Sequence, residues 1–117
     1  MPAFFFTVLI LNALFFVFYG VQSLVSKWMI AEFKRFGLND AQRRATGVLQ
    51  LLGAGGLFLG ISYPPAGALA AAGFSVMMLV AFLVRLSIKD SVLLSLPSLV
   101  FLLINLYLTA GFLAALR

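Results

Sequence analysis

Residues 3–25 read AFFFTVLILNALFFVFYGVQSLV, a stretch without a single charged side chain. A helix needs about 20 predominantly apolar residues to cross a membrane, and this stretch is long enough. It lacks the basic leader and the small-residue cleavage site of a secretory signal peptide, and its apolar run exceeds the roughly 7–15 residues usual there. We therefore expect a retained transmembrane helix.

The whole chain is unusually apolar. Of its 117 residues, 64% are hydrophobic and 9% are charged, against about 45–50% and about 25% in soluble domains. Four candidate spans account for the chain and leave no soluble domain. We therefore predict one all-α domain over residues 1–117, a four-transmembrane-helix bundle with a short amphipathic cytoplasmic segment between helices 1 and 2. The candidate spans are residues 3–25, 41–61, 66–86 and 92–116.

Residues 31–47, AEFKRFGLNDAQRRATG, hold six of the eleven charged residues and separate the first two spans. In the overlapping stretch KWMIAEFKRF, residues 27–36, Met29, Phe33 and Phe36 fall on one helical face, and basic residues fall on another. This pattern is typical of an amphipathic helix at a membrane surface. An unbroken helix through both segments would be longer than the membrane is thick, so we expect either a bend at residues 23–26 or a projection into the cytoplasm.

Two local signals predict where this amphipathic helix ends and the second span begins. Gly37 suits a helix end, because glycine readily adopts the left-handed backbone conformation found there. Asn39, followed three residues later by Gln42, is typical of a capping box. The segment is therefore predicted to be an interfacial turn between two helices.

The basic residues predict the orientation. The net charge is +5, and the first and third connections hold seven of the eight Lys and Arg residues. Since Lys and Arg concentrate in cytoplasmic loops, we expect both connections in the cytoplasm. In a bacterial cytoplasmic membrane, both termini and the Pro64–Pro65 turn would then lie on the outer side. Because the bases flank apolar runs, the expected partner is the lipid bilayer and not nucleic acid.

Small residues in the second span predict close helix packing. Gly56 and Gly60 form a GxxxG step, and Gly53 lies one turn earlier. Such residues let two helix backbones approach closely. The pattern is compatible with helix packing within one chain and with homo-oligomerisation through the same face.

Each span carries a polar residue near its middle. Such residues should face inward, because an amide facing lipid would be costly. They either bond to one another or form the polar floor of a cavity that binds the head of a lipophilic molecule. The candidate ligand-binding residues are Asn12, Tyr19, Gln22, Gln50, Ser75, Asn105 and Tyr107.

The charged residues of the two cytoplasmic connections predict a second polar region. All three acidic residues of the chain lie there, beside an excess of bases. They form structural ion pairs and contacts to lipid phosphates, or else a ligand site. The predicted cytoplasmic cluster comprises Glu32, Arg35, Arg43, Arg44, Arg85 and Asp90.

The sequence contains none of the familiar catalytic motifs. The chain contains no Cys and no His, and it has no P-loop, dinucleotide fingerprint or metal-ligand spacing. No carboxylate within a span could activate a nucleophile. We expect no metal site, no catalytic residues and no independent catalytic activity.

Four stretches together resemble the DoxX-like family of small four-helix membrane proteins. They are YGVQSLVSKWMIAEFKRFGL, QRRATGVLQLLGAGGLFLG, VRLSIKDS and LPSLVFLLINLYL. The resemblance implies the same fold. Some relatives are subunits of thiosulfate:quinone oxidoreductase, and a vertebrate relative is a chaperone for nicotinic receptor assembly. The resemblance assigns no catalytic residues to this chain. Because some redox-linked relatives use cysteines, the lack of Cys here argues against thiol chemistry.

The leading hypothesis is a non-enzymatic integral membrane protein. It would be an accessory or chaperone-like subunit with a membrane protein partner, or a binder of a lipophilic small molecule within the bundle. The first alternative is a membrane subunit of a quinone-linked oxidoreductase, and the second is a small transporter acting as an oligomer. A quinone or a lipid is the candidate bound molecule.

Overall fold

The computed structural model describes residues 2–116, which form five α-helices and no strand. The prediction of an all-α protein is confirmed for this part of the chain. One short helix, α2, follows the first long helix, and three more long helices complete the structure. The helices are α1 (Ala3–Val25), α2 (Lys27–Arg35), α3 (Asp40–Gly60), α4 (Pro64–Ser87) and α5 (Val92–Ala114).

Ser26 separates α1 from α2. Its backbone is extended, and its hydroxyl accepts a hydrogen bond from the backbone N–H of Met29 at 3.4 Å. A serine in this position caps the following helix, because its side chain satisfies one of the free N–H groups of the first turn. Of the two alternatives expected for this segment, the structure thus shows a break in the helix within residues 23–26, at Ser26.

The turn between α2 and α3 also follows the sequence signals. Gly37 has a φ of 82°, and the N–H of Leu38 donates to the carbonyl of Phe33 at 2.9 Å. Asn39 and Gln42 form both halves of the capping box, with hydrogen bonds of 2.8 and 2.9 Å. Both predictions for this turn are confirmed.

Four long helices surround one core. Neighbours in the bundle are α1 and α3, α3 and α4, and α4 and α5, while α1 also contacts α5. Aromatic rings fill the centre. Phe16 of α1 stacks on Phe74 of α4 with ring centroids 3.8 Å apart, and Phe5 of α1 meets Phe112 of α5 at 5.1 Å. All four rings are buried.

Glycines bring α3 and α4 into close contact. A Cβ atom added at Gly60 would lie 2.5 Å from the Cα of Gly67, and one added at Gly53 would lie 2.5 Å from the Phe74 ring. Gly56 faces an α4 alanine, with 3.0 Å to its Cβ. The three glycines singled out from the sequence therefore lie at a helix contact within one chain.

Three of the helices described here, α1, α4 and α5, are long and apolar enough to cross a membrane. They correspond to the first, third and fourth predicted spans. The second predicted span coincides with α3, which has 21 residues but is not among the three. Arg43, Arg44 and Gln50 make α3 more polar than the others. The all-α membrane class is thus supported, and the count of four crossings is not confirmed.

Candidate ligand-binding site

Four charged side chains from three segments join at the α2 end of the bundle. Arg35 of α2 donates to both oxygens of Asp90, at 2.5 and 3.2 Å, and to Glu32 at 2.5 Å. Arg85, near the end of α4, donates to the same Asp90 carboxylate at 2.9 Å. We call Glu32, Arg35, Arg85 and Asp90 the clasp, because they tie α2 to the turn between α4 and α5.

Asp90 is the central residue of the clasp. Its side chain is only 8% exposed. The preceding Lys89 has a φ of 59°, and the Asp90 N–H donates to the Arg85 carbonyl at 2.9 Å, which fixes the turn. The hydrogen bond from Arg35 lowers the pKa of Asp90, desolvation opposes this effect, and Arg85 adds to the lowering. Asp90 is therefore ionised at neutral pH.

Phe36 reinforces the clasp. The guanidinium carbons of Arg35 and Arg85 lie 5.1 and 4.9 Å from the centroid of its ring. Such cation–π contacts are attractive, because the face of an aromatic ring is electronegative. The neighbouring Phe33 is buried. The apolar face of α2 is thus turned toward the other helices.

Arg43 and Arg44 lie apart from the clasp. Arg43 is buried, and its Nη1 donates to the carbonyls of Ser23 and Leu24 at 2.5 and 3.3 Å. These carbonyls belong to the last turn of α1, where no helix N–H is free to bond them. Arg43 also pairs with Asp40 at 3.5 Å. Arg44 is exposed. Of the six residues in the predicted cluster, the structure joins four.

A cavity of about 630 Å³ lies beneath α2, among the four long helices. Its lining is chiefly aromatic and aliphatic, and it includes Phe15, Phe16 and Phe101. Val76 of α4 and Leu93 of α5 also line it and are 62% and 76% exposed. The cavity therefore opens toward the apolar outer surface of the bundle.

The cavity wall contains two nearly buried polar side chains with unused hydrogen-bonding groups. Gln50 of α3 is 7% exposed, and its Oε1 accepts a hydrogen bond from the Ser23 hydroxyl at 3.3 Å. Its Nε2 has no hydrogen-bond partner among residues 2–116. Neither does the hydroxyl of Ser98 on α5, which is 8% exposed. Both side chains line the cavity.

The predicted amides near the middle of the spans do not all meet at this cavity. Asn12 and Asn105 instead bond to each other, with reciprocal amide hydrogen bonds of 2.9 and 3.1 Å. The Asn105 amide also donates to the Phe101 carbonyl at 2.8 Å. This pair is buried and outside the cavity lining. Gln50 therefore lines the cavity, whereas the two asparagines bond to each other away from it.

The remaining candidate ligand-binding residues are dispersed. Tyr19 lines the cavity, whereas Gln22 is half-buried outside it. The hydroxyl of Ser75 donates to the Ala71 carbonyl of its own helix at 2.9 Å. The ring of Tyr107 packs against phenylalanines at the start of α1, near the other end of the bundle. The structure thus brings Tyr19 and Gln50 together at the cavity.

Sequence reasoning missed Ser23 and Ser98. The signal for Ser98 was the LPS sequence at residues 96–98. A proline inside an apolar helix has no N–H for the carbonyl four residues earlier, here Leu93, and so leaves a polar gap in the helix. A serine beside such a gap is a reasonable candidate for a site. Ser23 carries no comparable signal, because a single serine near a helix end is common.

Residues 7–107 match the DoxX-like family. No curated protein and no solved structure matches the chain. The match covers most of the chain and includes most of α1, all of α4 and about the first two thirds of α5, the three apolar helices described above. This chain therefore belongs to the DoxX-like family and is an integral, multi-pass membrane protein.

Proposed function

We propose that this membrane protein binds a lipophilic small molecule in the cavity beneath α2 and has no catalytic activity of its own. The cavity volume of about 630 Å³ carries the proposal. Small-molecule sites have volumes of about 300–1,000 Å³, and they combine apolar walls with a few well-placed polar groups. Gln50 and Ser98 supply such groups here.

The apolar outer opening supports a ligand that arrives from the lipid. Val76 and Leu93 stand at the edge of the cavity and face outward. A molecule dissolved in the bilayer could pass between them without entering water. At the end of the cavity toward α2, the lining includes Arg35 of the clasp and Phe36.

Filling the cavity should remove ligand binding. Ala81 lines the cavity on α4, so a tryptophan there would occupy ligand space. We expect Ala81→Trp to lose the small molecules that co-purify with the wild type, as detected by native mass spectrometry. Ala110→Trp is the matched control, because Ala110 is exposed on α5 and does not line the cavity.

Three outcomes count against the proposal. Equal ligand retention by both variants would mean that the bound molecule sits elsewhere. A wild type without small ligands, also after incubation with a membrane lipid extract, would mean that the cavity holds none. Repeated recovery of another protein, with no small ligand, would favour an accessory subunit instead.

We further propose that α3 also crosses the membrane, so that the single domain of residues 1–117 has four spans. The clasp supports this arrangement, because it joins α2 directly to the α4–α5 turn, and both must then lie on one side. Lys and Arg are concentrated at this end of the bundle, which favours a cytoplasmic location. Both termini and the turn at Tyr63, which joins α3 to α4, would then lie on the outer side of a bacterial cytoplasmic membrane.

Single-cysteine labelling tests this topology, since the natural chain has no cysteine. Tyr63 and Lys34 are both exposed. In intact cells, a membrane-impermeant maleimide should label Tyr63→Cys, whereas Lys34→Cys should react only after permeabilisation. Labelling of both in intact cells, or of neither, would show that α3 does not cross. The reverse pattern would invert the orientation.

A further inference from the structure

The charged groups at the cavity leave no net charge to hold an ionic ligand. Glu32, Arg35 and Arg85 line the cavity and belong to the clasp. With Asp90, the clasp contains two acidic and two basic side chains, and each base contacts an acid at 2.5–2.9 Å. An acidic or basic ligand head would have to break these pairs, which are partly desolvated and therefore costly to separate.

The unused polar groups of the cavity are neutral. The Nε2 of Gln50 is a hydrogen-bond donor, and the Oε1 of the same amide accepts a hydrogen bond from Ser23. The Ser98 hydroxyl can donate or accept. Both groups lie in the wall of a mostly apolar cavity, where a ligand acceptor would give each of them a hydrogen-bond partner. The complementary ligand group is thus an uncharged oxygen acceptor.

From these two observations we propose a ligand class for the cavity: a lipophilic molecule whose head is uncharged and carries an acceptor oxygen, as in a ketone, an ester or an ether. Its head accepts hydrogen bonds from Gln50 and Ser98, and its apolar remainder lies against the aromatic wall and extends toward the lipid. This inference rests on the proposed function, because it names the ligand of the same cavity.

Three probes with the same twelve-carbon chain isolate the head group: methyl laurate, laurate and dodecane. They are added separately to the purified full-length protein in detergent, at equal ratio to detergent and at mildly alkaline pH. Native mass spectrometry then measures the bound fraction. We expect methyl laurate to bind about 25-fold more than dodecane, because two hydrogen bonds to neutral groups are gained, each with an effect of about fivefold. Laurate should bind no better than dodecane.

Two variants remove the donors one at a time. Gln50→Met and Ser98→Ala should each lower the bound fraction of methyl laurate about fivefold, the effect of one neutral hydrogen bond. The binding of dodecane should not change. Gln22→Met and Ser75→Ala are matched controls, because these side chains lie outside the cavity lining. Ser98→Ala removes no hydrogen bond within residues 2–116, so it should fold even if Gln50→Met does not.

The outcomes separate this inference from the proposed function. If no probe binds, or if Ala81→Trp retains all of them, the cavity is not a binding site and both proposals fail. If dodecane binds as well as methyl laurate, or if the two donor variants match their controls, the cavity binds lipophiles but the assigned head group is wrong. If laurate binds best, the site takes an anionic head, and the clasp must open for it.

Discussion

Gly60→Ala should destabilise the bundle by about 3 kcal/mol, the upper end of the usual costs of overpacking. The new Cβ atom would lie 2.5 Å from the Cα and 2.9 Å from the N of Gly67. Both are backbone atoms, so no side chain can rotate away, and α3 and α4 would have to move apart. We expect a lower midpoint of thermal unfolding in detergent and partial aggregation on size-exclusion chromatography.

Gly55→Ala is the control for this experiment. Gly55 lies on the same helix, and a Cβ added there would meet nothing within 4 Å. Since alanine favours helices over glycine by about 1 kcal/mol in aqueous hosts, this variant should be neutral or slightly more stable. The two substitutions thus have opposite expected signs. Equal stability of the two variants would show that α3 and α4 do not approach closely at Gly60.

Asp90→Asn should release α2 from the rest of the bundle. Asparagine keeps the size of the side chain, but it removes the charge that both Arg35 and Arg85 contact. Trypsin cleaves after Lys and Arg, and Lys34 and Arg35 lie at the end of α2. Because proteolysis follows the population of the opened state, we expect cleavage in α2 to become at least about tenfold faster.

Asp40→Asn is the matched control for the clasp. The Asp40 side chain is 57% exposed and lies 3.5 Å from Arg43. Because solvent screens this carboxylate, its ion pair with Arg43 contributes little to stability. Its replacement should leave cleavage in α2 close to the wild-type rate. If Asp90→Asn and Asp40→Asn are cleaved equally fast, the clasp does not hold α2 in place.

The same residue sets the response of α2 to acid. The pKa of Asp90 is lower in the folded protein than its ordinary value, so its contribution to stability is present above about pH 3.9. That contribution is lost as the pH falls further, through the lowered pKa. Trp28, the single tryptophan, lies on α2 at the cavity. Its fluorescence should stay constant from neutral pH down to about pH 4 and change only in stronger acid.

Helix boundaries could be predicted because their signals are local. Ser26, Gly37 and Asn39 each act on backbone groups within a few residues, and a single sequence contains that information. The apolar stretches likewise predict α1, α4 and α5 from length and composition. The α3 helix does not meet the same criterion, because its first turns carry Arg43 and Arg44.

The candidate site was harder to predict, because it depends on how the helices rotate about their axes. Asn12, Gln50 and Asn105 are equivalent by their position within a span. Only the packing decides that the two asparagines meet and that Gln50 faces an opening. Arg35 and Arg43 likewise belong to the same charged stretch of the sequence, residues 31–47. In the structure Arg35 joins the clasp, whereas Arg43 bonds carbonyls at the end of α1.

The pairing of Asn12 with Asn105 has a consequence for how the protein is made. The two residues are 93 positions apart, so at a synthesis rate of about 5–20 residues per second the ribosome reaches Asn105 roughly 5–20 s after Asn12. During that interval the nascent first helix exposes an amide whose final partner does not yet exist. Water, a lipid headgroup or the insertion machinery must satisfy this amide until the last helix arrives and replaces it.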